Sequence, residues 1–240
     1  MASWRGGRGE GTYLEHWRGH LDLYCERLGP GFWAEPLNAV SNAAFILAAA
    51  YGFVLWRRAG AADRPALGLV LVTLAVGVGS FLFHTFAERW SLYADVIPIT
   101  VFIYAYLVLA LRRFVGFGLW PALAVTAAFF IFNLAFAPAL RAAIGPGALA
   151  SLNGSESYFP AALALLAIGT WLVTGRAGSR PGRALLVGAA VFLVSLTFRT
   201  LDNAVCGTLP FGTHFIWHTL NVVLLAILLR AAIVEGPRRG

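Results

Sequence analysis

The sequence predicts an all-α membrane protein, a bundle of seven transmembrane helices with its N-terminus outside and its C-terminus in the cytoplasm. Three observations predict it. Of the 240 residues, 59% are hydrophobic and only 12% charged, at a mean hydropathy of +0.74, a mixture that soluble domains of this length do not reach. Apolar runs of about 17–22 residues recur along the chain, the length that crosses a hydrocarbon core of about 30 Å. All 18 basic residues are arginines, gathered largely in the polar tail and the short loops between those runs. The net charge of +7 therefore reads as membrane orientation rather than as affinity for nucleic acid.

Residues 1–35 are polar and rich in Gly and Arg, with no apolar stretch of signal-peptide length. They are expected to form an N-terminal segment, the first helix serving as its own insertion signal. Helices are expected at 37–56, 66–86, 92–111, 118–138, 158–174, 184–200 and 213–233, and a single bundle domain over 36–234 with a cytoplasmic tail at 235–240. The runs are continuous rather than alternating, which excludes a β-barrel. Orientation follows from the arginines. Arg57, Arg58, Arg64, Arg112, Arg113, Arg176, Arg180 and Arg183 follow helices one, three and five, and Arg230, Arg238 and Arg239 follow helix seven. The alternate loops hold only Arg89, Arg141 and Arg199. The positive-inside bias places the former set in the cytoplasm. In the N-terminal segment Arg5, Arg8, Arg18 and Arg27 are partly balanced by Glu10, Glu15, Asp22 and Glu26.

On this topology the unusual residues converge. The stretch GVGSFLFHTFAERWSLYAD carries Ser80 and His84 near the outer end of helix two and Asp95 near the start of helix three. His214 and His218 open helix seven, Asp202 and Asn203 follow helix six, and Glu35, Asn38, Ser41 and Asn42 open helix one. All fall at one depth, toward one face. Ser80 and His84 are four residues apart, as are His214 and His218, so each pair shares a helix face. Two such histidines make a bidentate clamp, and His84 completes a three-histidine set that leaves a fourth position open, as in catalytic zinc sites. Zinc brings the pKa of a bound water to about 7. Asp95 then serves as general base or orients that water, and Ser80 donates to a developing oxyanion.

Plainer readings stand beside these. A histidine near a helix end is often an interfacial or packing residue. Asp95 can cap helix three, in competition with Ser91. Ser80 can simply pack or bond back to its own helix, and Asn38, Asn42 and Asn203 can be interhelical glue. His16 and His20 lie in the polar tail and read as solvated. Two cysteines, Cys25 and Cys206, are too few for a disulfide framework or a thiolate metal site.

Taken together, S-x3-H-x10-D, D-N-x-x-C and H-x3-H, with the stretch YCERLGPGFWAEPLNAVSN, resemble the alkaline ceramidase family. That family belongs to a wider group of seven-helix membrane hydrolases with the adiponectin receptors and haemolysin-III-like proteins. The resemblance spans roughly residues 22–221. It implies an intramembrane zinc amidase that cleaves ceramide to a sphingoid base and a fatty acid. His84, His214 and His218 are then the zinc ligands, Asp95 the water-activating carboxylate and Ser80 the oxyanion donor. It also implies a calcium site drawing on Asp22, the Tyr24 carbonyl, Glu26 and Glu35, although Leu23 stands where the family has its leading aspartate. A Cys25–Cys206 disulfide is implied as well.

The partner so implied is a membrane lipid, its chains lying between helices at 121–136 and 159–173, with no obligatory protein partner. Other lipid amides or esters suit the same site. A retinal photoreceptor is excluded, since no lysine is present for a Schiff base. A lipid-sensing receptor of the same superfamily remains a rival, although the inner loops are short. A transporter would show inverted repeats or broken helices. The all-Arg, Ala- and Gly-rich usage suggests a bacterial inner membrane with the site toward the periplasm.

Overall fold

A computed structural model describes residues 17–175 and 179–235. Arg5, Arg8, Glu10, Glu15, His16, Arg176, Arg238 and Arg239, and with them most of the proposed tail, lie outside the described residues. Among the described residues, seven helices are long and apolar enough to cross a membrane: α1 (Pro36–Arg58), α2 (Arg64–Phe86), α3 (Arg89–Val115), α4 (Leu119–Ile144), α5 (Ser155–Gly175), α6 (Arg180–Val205) and α7 (His214–Glu235). The chain is an integral, multi-pass membrane protein. Large apolar side chains such as Leu47, Leu71, Trp120 and Ile131 are exposed on the bundle surface, where lipid rather than water meets them.

Local sequence fixes the helix ends. Asp63 caps α2 by accepting from the Ala66 amide at 3.2 Å, with Pro65 pre-set in the first turn. At the other end Ala87 turns left-handed, with φ 48°. Glu88 and Ser91 form a capping box for α3. Glu88 is the cap and Ser91 its partner three residues on, so Asp95, a turn further in, does not cap α3. Ser179 caps α6 through the Gly182 amide at 3.2 Å.

Three helices depart from expectation by four residues or more at an end, α3 running from Arg89 to Val115 rather than 92–111. α4 continues through Pro138 to Ile144, and α6 runs from Arg180 to Val205 rather than 184–200. The end of α6 is extended because Arg199 and Asp202, polar enough to read as loop, turn inward to partners on other segments.

The apolar core is built from α1, α2, α3, α5, α6 and α7, with Phe45, Leu69, Phe102, Leu185, Leu224 and Leu229 among its members. α4 stands at the edge, and Ala122 is its one fully buried residue. It is tethered to α3 by the Asn133 amide donating to the Tyr104 hydroxyl at 3.1 Å. α2 and α3 approach closely at Gly79, where a Cβ would lie 1.9 Å from the Ala94 carbonyl oxygen. Only glycine admits that contact, and it sets Ser80 on α2 beside Asp95 on α3. At the opposite end Arg113 pairs with Asp63 at 2.7 Å.

Residues 17–35 lie against the histidine-bearing end of the bundle. His20, exposed as expected, bridges Glu88 through the backbone, and the Leu21 amide donates to the Ala87 carbonyl at 2.7 Å.

Candidate active site

Three buried imidazoles meet inside the bundle. His84 comes from the last turn of α2, and His214 and His218 from the first turns of α7. The ring centroids are 5.2 Å apart for His84 and His214, 4.7 Å for His84 and His218, and 4.6 Å for His214 and His218. One ligand nitrogen of each lies within 4.8 Å of the others. Among the described residues this is the one group of three or more His, Cys, Asp or Glu side chains so placed. Three nitrogens able to converge on one point are the donor set of an open zinc site.

Their hydrogen bonds orient the lone pairs. His84 Nδ1 lies 2.6 Å from Glu35 Oε2. An ionised carboxylate only accepts, so Nδ1 carries the proton and Nε2 is left for a ligand. Ser41 Oγ donates its one proton to the Asn38 carbonyl at 2.8 Å and so accepts from His218 Nδ1 at 2.8 Å. That again frees Nε2. His84 Nε2 and His214 Nδ1 are both buried without a protein partner. Buried polar nitrogens are rarely left so, and a metal ion between the rings would satisfy them. The residues present therefore fit a zinc ion.

Glu35 has a place that the sequence did not disclose. Besides His84 it accepts from the Asn38 side-chain amide at 3.0 Å and pairs with buried Arg27. Burial pushes the Glu35 carboxyl up, but His84, Asn38 and Arg27 outweigh it and hold it below its ordinary value. The result is a carboxylate–histidine pair of the kind that orients metal ligands. Arg27 also donates to the Gly29 carbonyl at 3.0 Å and to the His84 carbonyl at 3.1 Å, binding the N-terminal segment to the end of α2.

Of the residues expected to bind calcium, Glu26 and Glu35 both bond to Asn38 at the start of α1. Asp22 is exposed. Glu26 accepts from the Leu37 and Asn38 amides at 2.7 and 2.8 Å, where the start of α1 offers unpaired donors. Burial raises its pKa, against those bonds. The Tyr24 carbonyl accepts from the Arg27 amide at 3.2 Å. The Tyr24 ring instead stacks on His214, centroids 3.7 Å apart. Burial pushes the Tyr24 hydroxyl up to about 12, so it stays neutral.

Asp202, wholly buried, secures α7. Its Oδ1 accepts from the Thr213 and His214 amides at 2.7 and 2.9 Å, and its Oδ2 from the Cys25 amide at 3.1 Å. Cys25 and Cys206 form a disulfide, Cα atoms 5.4 Å apart. Gly212, at φ +60°, passes so close that a Cβ would lie 2.1 Å from Asp202 Oδ1. Asn38 joins the supports of His84 and His218, and Asn42 donates to its carbonyl at 2.7 Å. Asn203 is exposed and contacts Leu23 and Asn153 instead, away from the histidines.

Asp95 and Ser80 are buried beside the triad. Asp95 Oδ1 has no hydrogen-bond partner, and the Ser80 hydroxyl is within its reach. Both line a cavity of about 170 Å³ together with His214 and His218. From there it runs along apolar side chains as far as Leu107, Ala110 and Leu228. The expected chain-binding helices contribute unequally. α5 lines it with Ala161, Ala164, Leu165 and Ile168, but peripheral α4 gives only Phe129, and α3 takes its place.

No curated protein matches the chain. The family model described as Ceramidase matches residues 25–233, a span that includes every residue of the triad, Glu35, Ser80, Asp95 and both cysteines. The chain thus belongs to the ceramidase family, whose activity is hydrolysis of the ceramide amide bond.

Proposed function

We propose that the protein is an intramembrane zinc-dependent amide hydrolase that cleaves ceramide-like lipids to an amine and a fatty acid. The observation that carries this reading is the buried three-histidine cluster, one ligand nitrogen of each within 4.8 Å of the others, with nitrogens on His84 and His214 left without a partner. His84, His214 and His218 would hold the ion, which as a Lewis acid activates a water and polarises the amide carbonyl. Glu35 keeps the His84 ring in its ligating tautomer, and the Ser41–Asn38 pair does the same for His218. Asp95, with one oxygen unengaged, accepts a proton from the attacking water and returns it to the leaving nitrogen. Ser80 donates to the carbonyl oxygen as negative charge develops there. A C–O bond forms, the C–N bond breaks, and each product leaves with its share of the water.

The apolar cavity would receive the acyl chain, admitted sideways from lipid past the loosely held α4. Arginine placement supports an orientation with the triad toward the outside, hence the periplasm in a bacterial inner membrane. The rival reading, a lipid-sensing receptor, gives the unengaged Asp95 oxygen no task. The test is release of sphingoid base and fatty acid from ceramide in mixed micelles by wild type and Asp95→Asn, with zinc content measured on both. The expected result is a loss of at least about 100-fold in turnover at unchanged zinc. Equal turnover in the two proteins would remove Asp95 from the chemistry.

A further inference from the structure

A second cavity lies at the end of the bundle opposite the triad, where α6 begins and α7 ends. It is a groove of about 420 Å³ between those two helices. Along α6 its wall is Arg180, Arg183, Ala184 and Val187, a spacing that places them on one helix face. Across from them α7 supplies Ile227, Arg230 and Glu235. The arginines stand at the end of the bundle, while Val187 lies about two turns further along α6 and is exposed toward lipid. The groove is thus cationic at its mouth and apolar toward the middle of the membrane.

The charges in it are unevenly paired. Arg230 pairs with Glu235, five residues on, because the chain widens into a π-turn at Ala231–Glu235 that brings the two to one face. Arg180 and Arg183 are exposed, and among the described residues neither pairs with a carboxylate. Three arginines against one carboxylate leave the groove net cationic. Glu235 itself is only half engaged. Its side chain is 8% exposed, and its Oε2 is buried with no hydrogen-bond partner. A buried oxygen is rarely left so, and an ionised carboxylate can only accept.

The occupant must answer three features at once. Two unpaired guanidiniums call for an anion, and arginine forks suit phosphate oxygens. The orphaned Glu235 oxygen calls for a donor on the same molecule. The apolar wall at Val187 and Ile227 calls for an alkyl chain. A soluble anion leaves the third feature unused, and a choline lipid has no donor to offer. Basic pockets between membrane helices take anionic lipid headgroups.

We propose that this groove binds an anionic phospholipid whose headgroup carries a free hydroxyl, as in phosphatidylglycerol. The phosphate sits between Arg180 and Arg183, the hydroxyl donates to Glu235, and one acyl chain lies along Val187 and Ile227. The site is separate from the triad and does not depend on the hydrolase reading.

The test is a native mass-spectrometric titration of the detergent-solubilised protein with four palmitoyl-oleoyl lipids. These are phosphatidylglycerol, phosphatidylethanol (the same charge without the hydroxyl), phosphatidylethanolamine and phosphatidylcholine. Wild type is expected to hold phosphatidylglycerol at least about tenfold more tightly than either zwitterionic lipid, and about fivefold more tightly than phosphatidylethanol. Arg180→Gln/Arg183→Gln should bring phosphatidylglycerol down to the zwitterionic level. Glu235→Ala should make the two anionic lipids equal. Arg57→Gln/Arg58→Gln, which removes the same charge at the end of α1, should change neither ratio. Should the Arg180/Arg183 double variant fail to fold, Arg183→Gln alone should at least halve the preference. No preference for phosphatidylglycerol over the zwitterionic lipids in wild type overturns the proposal. So does a preference that survives Arg180→Gln/Arg183→Gln, or one lost equally with Arg57 and Arg58, since the charge then acts diffusely. Equal binding of phosphatidylglycerol and phosphatidylethanol by wild type overturns the role given to Glu235 and the headgroup class with it. Displacement of the lipid by inorganic phosphate or an oligoglutamate peptide at matching concentration overturns it too, for the groove then serves a soluble anion or an acidic segment.

Discussion

Replacing Glu35 by Gln separates two tasks that its carboxylate performs. One oxygen holds His84 Nδ1 at 2.6 Å and the Asn38 amide at 3.0 Å, and the other pairs with buried Arg27. Gln can still accept from His84, but without the negative charge that raises the basicity of a ligating imidazole. Loss of such a partner weakens metal binding by about 10–100-fold, which is about 1.4–2.7 kcal/mol. The second task adds to this, because Arg27 is left as a buried charge without its partner, at a cost of about 3–5 kcal/mol in stability. The double variant Arg27→Gln/Glu35→Gln tells the two apart. Thermal unfolding should recover in the double variant, whereas zinc affinity, measured by competition with a fluorescent chelator in detergent, should stay reduced. Wild-type zinc affinity in a folded Glu35→Gln protein would refute the carboxylate–histidine link.

The remaining predictions address the supports around the triad. Gly79→Ala places a methyl group 1.9 Å from the Ala94 carbonyl. It should cost about 1–3 kcal/mol as α2 and α3 part and depress turnover more than zinc content. Gly68→Ala, with open space around it, should change stability by no more than about 1 kcal/mol in thermal melts. Asp202→Asn turns a donor toward the amides of Cys25, Thr213 or His214. Each buried group left unpaired costs about 1–3 kcal/mol, so zinc affinity and melting temperature should fall together. Reducing the disulfide, or Cys206→Ser, opens a link between residues 181 apart in sequence and should destabilise by about 2–5 kcal/mol, read as an earlier thermal transition.

The seven spans were legible because a bilayer fixes both the length and the apolarity of a helix that crosses it, and no tertiary knowledge is needed to see that. Their ends were less so. Arg199 and Asp202 read as loop residues, since nothing in the local sequence tells that Asp202 turns inward to the Thr213 and His214 amides or that Arg199 is caged by Tyr24, Tyr158 and Trp217. The histidine triad was visible from depth and four-residue spacing. The bond from Glu35 to His84 was not legible, because the two are 49 positions apart and a carboxylate alone does not announce which partner it serves. Asp95 could be read from sequence as a cap or as a site residue; with Glu88 and Ser91 forming the capping box of α3, a carboxylate one turn further in does not serve as the cap. Gly79 could not be singled out by sequence, for its meaning lies wholly in the closeness of Ala94 on another helix.

The most direct test of the account is the zinc content of protein purified without chelators, set beside His84→Ala prepared in the same way, with ceramide hydrolysis measured on each. The account predicts about one zinc per chain in the wild type, and loss of both metal and hydrolysis in a variant that remains folded. A wild type that hydrolyses ceramide with no metal bound, or a His84→Ala protein that keeps its zinc, would contradict it.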